Sequence, residues 1–187
     1  MPSKDVIKTY ISGGVYHVYN RGNESRDVFL DEEDFHVFMY LLDHYLCPPI
    51  PGVKTRNYFG KIKLLVFCLM TNHIHLLLVQ QEERVVDKFM HGLLTSYAMR
   101  MNKKYKRVGH VFQGVYKARL LESDLDLINI SRYIHLNPFE EAPKELLYPY
   151  SSLGCYVKQW ELEFVDTTMI LNLFGGSPEL YKRYLLG

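Results

Sequence analysis

Two histidines separated by one isoleucine stand in the run Thr71-Asn72-His73-Ile74-His75-Leu76-Leu77-Leu78-Val79, inside otherwise apolar, β-prone residues. Successive side chains of a strand alternate faces, so His73 and His75 share one face and Ile74 and Leu76 the other. Two neutral imidazoles so placed can grip one divalent metal ion. Alone, a His-x-His pair is as well read as two ordinary half-buried histidines, so its surroundings decide. Tyr133 and Asn137 stand four apart, near one face of a helix if its last turn holds. From Arg100 to Arg119 the chain carries Arg100, Lys103, Lys104, Lys106, Arg107, Lys117 and Arg119 and no acid. With His110 and the rings of Tyr97, Tyr105, Phe112 and Tyr116 nearby, this block reads as a phosphate-backbone track with stacking surfaces. Its bland counterpart is a solvated charged face.

The elements that must position these residues follow from periodicity. Gly14 to Gly22 alternates β-branched and aromatic residues between glycines and is the first strand. Asp31 caps a helix from Glu32 to about Tyr45, with acids in its first turn and Phe35, Phe38, Leu41, Leu42 and Tyr45 on one stripe. Pro48-Pro49-Ile50-Pro51-Gly52 stops it and opens a loop to Arg56. Strands Lys61–Leu69 and Asn72–Gln80 are joined tightly enough to be antiparallel neighbours. Apolar residues at three- and four-residue spacing mark a second helix from Val85 to about Lys104. A turn then enters a fourth strand ending at Leu121.

The order strand, helix, strand, strand, helix, strand is the split βαβ arrangement. It predicts an α+β, ferredoxin-like fold: a four-stranded antiparallel sheet with helices on one face and the other face open for a site. Ser123, with Asp126 three residues on, caps a third helix running to about Leu136, where Asn137-Pro138 ends it. The tail holds two short helix candidates, around Thr168–Phe174 and Pro178–Leu186. The expected organisation is a main domain over 1–140 and a C-terminal extension over 141–187 packed on it.

A net charge of +1 points to no partner by itself, and the three cysteines, Cys47, Cys68 and Cys155, show no CxxC spacing. Neither a disulfide framework nor a zinc knuckle is expected. Met1 to Lys8 lacks a signal-peptide pattern, and no apolar run approaches the ~18 residues of a bilayer span. The expected setting is the cytoplasm, with no membrane partner.

Three ordered segments carry a family resemblance. Asn72-His73-Ile74-His75-Leu76-Leu77, Gly109-His110-Val111-Phe112-Gln113-Gly114-Val115-Tyr116-Lys117-Ala118 and Ser131-Arg132-Tyr133-Ile134-His135-Leu136-Asn137-Pro138 together resemble the single-tyrosine HUH transposases of bacterial insertion sequences, in the REP-associated branch. Tyr19-Asn20-Arg21-Gly22-Asn23 and Tyr150-Ser151-Ser152 look like the same branch. The resemblance implies that His73 and His75 hold a divalent metal, Mg²⁺ or Mn²⁺, that Tyr133 is the nucleophile, on an added catalytic helix, and that Asn137 completes the metal site. His135 competes for that last role, and Tyr97, Tyr105 and Tyr116 for the nucleophile's. It further implies single-stranded DNA beside a hairpin as substrate, cleaved and rejoined through a 5′-phosphotyrosine. Arg100, Lys103, Lys104, Arg107, His110, Lys117 and Arg119 are then the expected DNA contacts. Relatives include monomers and homodimers that share active sites. Two other readings compete: an HUH enzyme nicking replication origins, and a non-catalytic single-strand binder using Tyr16 and Tyr19 on its sheet, as RNA-recognition domains do.

Overall fold

The computed structural model describes residues 10–52, 55–140 and 148–187. Met1 to Lys8, the middle of the loop before Arg56 and the start of the C-terminal extension at 141 lie outside them. Four strands, β1 (Val15–Arg21), β2 (Ile62–Met70), β3 (His73–Gln80) and β4 (Lys117–Leu121), form one antiparallel sheet in the order β2-β3-β1-β4. The helices are α1 (Glu32–Leu46), α2 (Val85–Lys104), α3 (Asp124–Leu136), α4 (Leu153–Tyr156), α5 (Thr168–Asn172) and α6 (Pro178–Leu186). This is the split βαβ sheet that the order of elements predicts.

α1 begins on a reciprocal cap: the Asp31 carboxylate accepts from the Asp34 N–H, and the Asp34 carboxylate accepts from the Asp31 N–H. α2 has no such residue, because Arg84 at its N-cap is left-handed. The buried Gln80 side chain instead accepts from the Val86 N–H. Both helices press one face of the sheet, where Phe38, Leu42, Phe89, Leu93 and Tyr97 meet Val18, Phe67, Ile74, Leu76 and Leu78.

The second face is less open than the sequence suggests. Leu77 and Val79 of β3 are as buried as Leu76 and Leu78, and both faces of this strand are therefore covered. Leu127 and Ile134 of α3, Leu153 and Tyr156 of α4, Ile170 and Leu171 of α5 and Tyr181 and Leu185 of α6 form the second core there, against β2 and β3. A register shift between Leu64 and Val66 marks an irregularity in β2, and the Tyr156 hydroxyl donates to the Leu65 carbonyl at 3.0 Å. Residues 150–152 also hydrogen-bond along the outer edge of β2. What stays accessible on this face is its far side, with Tyr19 and Arg21 of β1 and Lys117 and Arg119 of β4. Among the described residues, no helix is long and apolar enough to cross a membrane.

Candidate active site

The sheet register brings the chemistry together. On the second face Tyr19 lies between His75 and Lys117, His17 between Leu77 and Arg119, and Arg21 beside His73. α3 crosses above them, and the cap on Ser123 fixes where it starts: the hydroxyl accepts from the Asp126 N–H at 3.1 Å. Asn137 keeps helical angles and opens a 3-10 turn, so Pro138 does not displace it. Its Oδ1 lies 3.1 Å from His73 Nε2. The Tyr133 ring stands edge-on to His75, 5.5 Å between centroids, and to His17 at 6.2 Å. Tyr133 is 45% exposed. A cleft of about 630 Å³ joins Tyr133, His73 and His75 to Arg21, Gln113 and Lys117.

The two histidines differ. His75 is 5% exposed, and burial, reinforced by His17 and His73, pushes its pKa down to about 2, so it is a neutral donor. His73 is partly exposed, with Nδ1 2.7 Å from Asn72 Oδ1 and Nε2 facing Asn137 Oδ1. Both ring nitrogens of His73 thus face an amide oxygen. Among the described residues no three His, Cys, Asp or Glu side chains form a metal cluster, and the candidate donors at this site are two imidazoles and one amide oxygen. Such a set fits a divalent ion and leaves positions for substrate oxygens.

His135 is no competitor for that site. It is fully buried in the second core, its two ring nitrogens bonded to Tyr181 Oη (2.7 Å) and Ser152 Oγ (2.8 Å). The other tyrosines are also engaged: Tyr97 donates to the Val28 carbonyl, Tyr105 to Asp31 and Asp34, and Tyr116 to Asp87. Tyr16 is 1% exposed in the first core, on the opposite face from Tyr19. Tyr16 and Tyr19 therefore do not form the exposed aromatic pair that the RNA-recognition reading needs.

The basic block is split. Lys117 lines the cleft and its Nζ lies 5.6 Å from the Tyr19 ring centroid. Arg119 borders an adjoining recess with His17 and Tyr133 and pairs with Asp126 at 2.9 Å. Lys104 instead clamps the α1 N-terminus, with Nζ 2.8–2.9 Å from Asp31, Glu33 and Asp34. Arg100 faces Glu33 at 3.8 Å, whereas Lys103 and His110 are exposed and Arg107 half-buried at or beyond the end of α2. Being near in sequence does not make these residues one track, because the sheet lies between α2 and the cleft. His17, Arg21, Asn72 and Gln113 are cleft or supporting residues that no spacing in the sequence singled out. His17 had one usable signal, its place in phase with Tyr19 on β1, but strand pairing is needed to bring it to His75.

Residues 54–137 match the family model of IS200-like transposases, a span that includes His73, His75, Tyr133 and Asn137. Among curated proteins none matches the sequence. A REP-associated tyrosine transposase solved bound to a REP hairpin has a similar structure, with a TM-score of 0.63 at 11% identity, covering 88% of this chain and 95% of that one. A proposed transposase from Deinococcus radiodurans R1 aligns at 18% identity with a TM-score of 0.43, over 72% of this chain and 95% of that one. The segment that builds the site thus matches the IS200-like transposase family, on a fold shared with a REP-associated tyrosine transposase.

Proposed function

We propose that this protein is a metal-dependent transposase that cleaves and rejoins single-stranded DNA beside a hairpin, with Tyr133 as nucleophile. The observation that carries the reading is the convergence of His73, His75 and the exposed Tyr133 at one cleft, with the Asn137 amide oxygen against His73. Two late helical residues and two strand residues meet there without a core role for the phenol.

In the reaction Tyr133 Oη attacks the scissile phosphorus. The new O–P bond forms as the bond from phosphorus to the 3′-oxygen breaks; that oxygen leaves with a proton as a 3′-OH, and the 5′-phosphate stays on the tyrosine. Attack by another 3′-OH reverses the step and joins a new strand, so no nucleotide triphosphate is consumed. His73, His75 and Asn137 would hold Mg²⁺ or Mn²⁺, which supplies charge neutralisation and orientation of the scissile phosphate. Imidazole ligands suit Mn²⁺ at least as well as Mg²⁺. Arg21 and Lys117 flank the cleft and supply positive charge for the backbone of the bound strand. The hairpin recorded with the REP-associated relative supports a folded-back DNA end as the substrate.

The test is incubation of the full chain with end-labelled single-stranded hairpin DNA and Mn²⁺. A covalent protein–DNA adduct that is lost in Tyr133→Phe and with chelator is expected. DNA retention without any adduct would replace the enzyme reading by that of a binding module.

A further inference from the structure

We propose that His17 is a positioning residue: its hydrogen bond to His75 Nδ1 holds His75 in the tautomer whose Nε2 lone pair faces the cleft. The inference rests on the metal-site reading above and concerns a residue outside the matched family segment, which begins at residue 54.

His17 Nε2 lies 3.0 Å from His75 Nδ1. Both side chains are nearly sealed, at 7% and 5% exposure, so water competes poorly for this contact. Their ring centroids lie 5.2 Å apart with 23° between planes, the edge-to-edge arrangement that an in-plane hydrogen bond needs, and the Tyr19 ring lies 5.2 Å from that of His17, two residues on along the same face of β1. In β1–β3 pairing His17 faces Leu77, so it reaches His75 along the diagonal, within range for an aromatic side chain. The rings of Tyr19 and Tyr133 flank His75 at 5.9 and 5.5 Å between centroids.

One proton lies between two ring nitrogens, and its ownership decides the site. If His75 Nδ1–H donates to His17, the Nε2 of His75 carries a lone pair and can join His73 and Asn137 as a ligand. If His17 donates, His75 carries its proton on Nε2 and cannot ligate. Ligating histidines are ordinarily oriented by a partner on the second nitrogen, usually a carboxylate or a carbonyl; here an imidazole would fill that place.

Two measurements on the full chain test this. In the metal-free protein, long-range ¹⁵N–¹H correlation of the ring nitrogens should show His75 protonated on Nδ1; protonation on Nε2 would overturn the proposal without touching the metal reading. In Mn²⁺ titrations followed by electron paramagnetic resonance, His17→Phe should weaken binding about 10–100-fold, while His17→Gln, which keeps a polar partner, should stay within ~3-fold of wild type. Unchanged affinity in a folded His17→Phe protein would overturn it as well. Should that variant unfold, the wild-type tautomer decides alone. Wild-type protein that binds no Mn²⁺ would overturn both this proposal and the reading beneath it.

Discussion

At the scale of single residues the proposed site depends on two imidazoles and one exposed phenol. Tyr133→Phe should abolish the covalent adduct and leave hairpin retention within a few-fold, read by gel shift in the same tubes. His73→Ala and His75→Ala should each remove measurable Mn²⁺ binding, because two imidazoles are the minimum grip; Asn137→Ala should weaken it less. The buried histidines also make stability depend on pH. Burial lowers His135 to about 3, and burial with His17 and His73 lowers His75 to about 2, both far below the ordinary ~6.5 of an unfolded histidine. Below ~6.5 the unfolded chain binds protons that these folded sites refuse, so stability is fully present above that pH and is lost as pH falls toward the folded values. Between pH 7.5 and 5 each should cost about 2 kcal/mol, measured by urea unfolding at the two pH values, with His135→Gln flattening the slope. A flat profile in wild type would contradict the burial of these rings.

At the scale of elements, α3 and the α1–α2 pair have separate jobs. α3 holds Tyr133 and Asn137 in place, and Ser123→Ala should cost about 1 kcal/mol of stability by leaving its first turn uncapped. α1 and α2 are joined at opposite ends of their dipoles, where Lys104 meets the acids of the first turn of α1. Lys104→Met should therefore lower the melting temperature while DNA affinity stays close to wild type. Lys117→Met should do the reverse, weakening binding and reducing the slope of log K against log salt by about one. Equal losses of affinity in both would restore the single basic track that the sequence suggests. That track was legible only as a count of charges. Which charges face acids and which face the cleft depends on packing between Asp31 and Lys104, far apart along the chain.

At the scale of the whole molecule, the C-terminal extension is a structural lid on the second face of the sheet. Tyr181 is fully buried, donates to Ser131 Oγ at 3.1 Å and has its hydroxyl oxygen 2.7 Å from His135 Nδ1, and so ties α6 to α3. Arg132, next to Tyr133, donates to the carbonyls of Tyr184 and Leu185 at the end of α6. Tyr181→Ala should cost about 3–5 kcal/mol, as removal of a large buried ring does. Its adduct yield at a temperature where it remains folded should fall more than its hairpin affinity, since the helix that loosens carries Tyr133 and not the strand residues of the cleft.

The sequence by itself determined the sheet and its helices, because alternation, caps and proline stops are local: α2 and α6 run where their spacing places them, and His73 and His75 share a face by the pleat alone. It also determined that β3 would be apolar nearly throughout, without saying what covers its second face. Only the tertiary structure decided that α3 and the tail cover it, that His135 is a core residue and Asn137 a neighbour of His73, and that His17 stands behind His75. Those outcomes are set by contacts between residues 17 and 75, 73 and 137, and 135 and 181, whose pairing no local periodicity encodes.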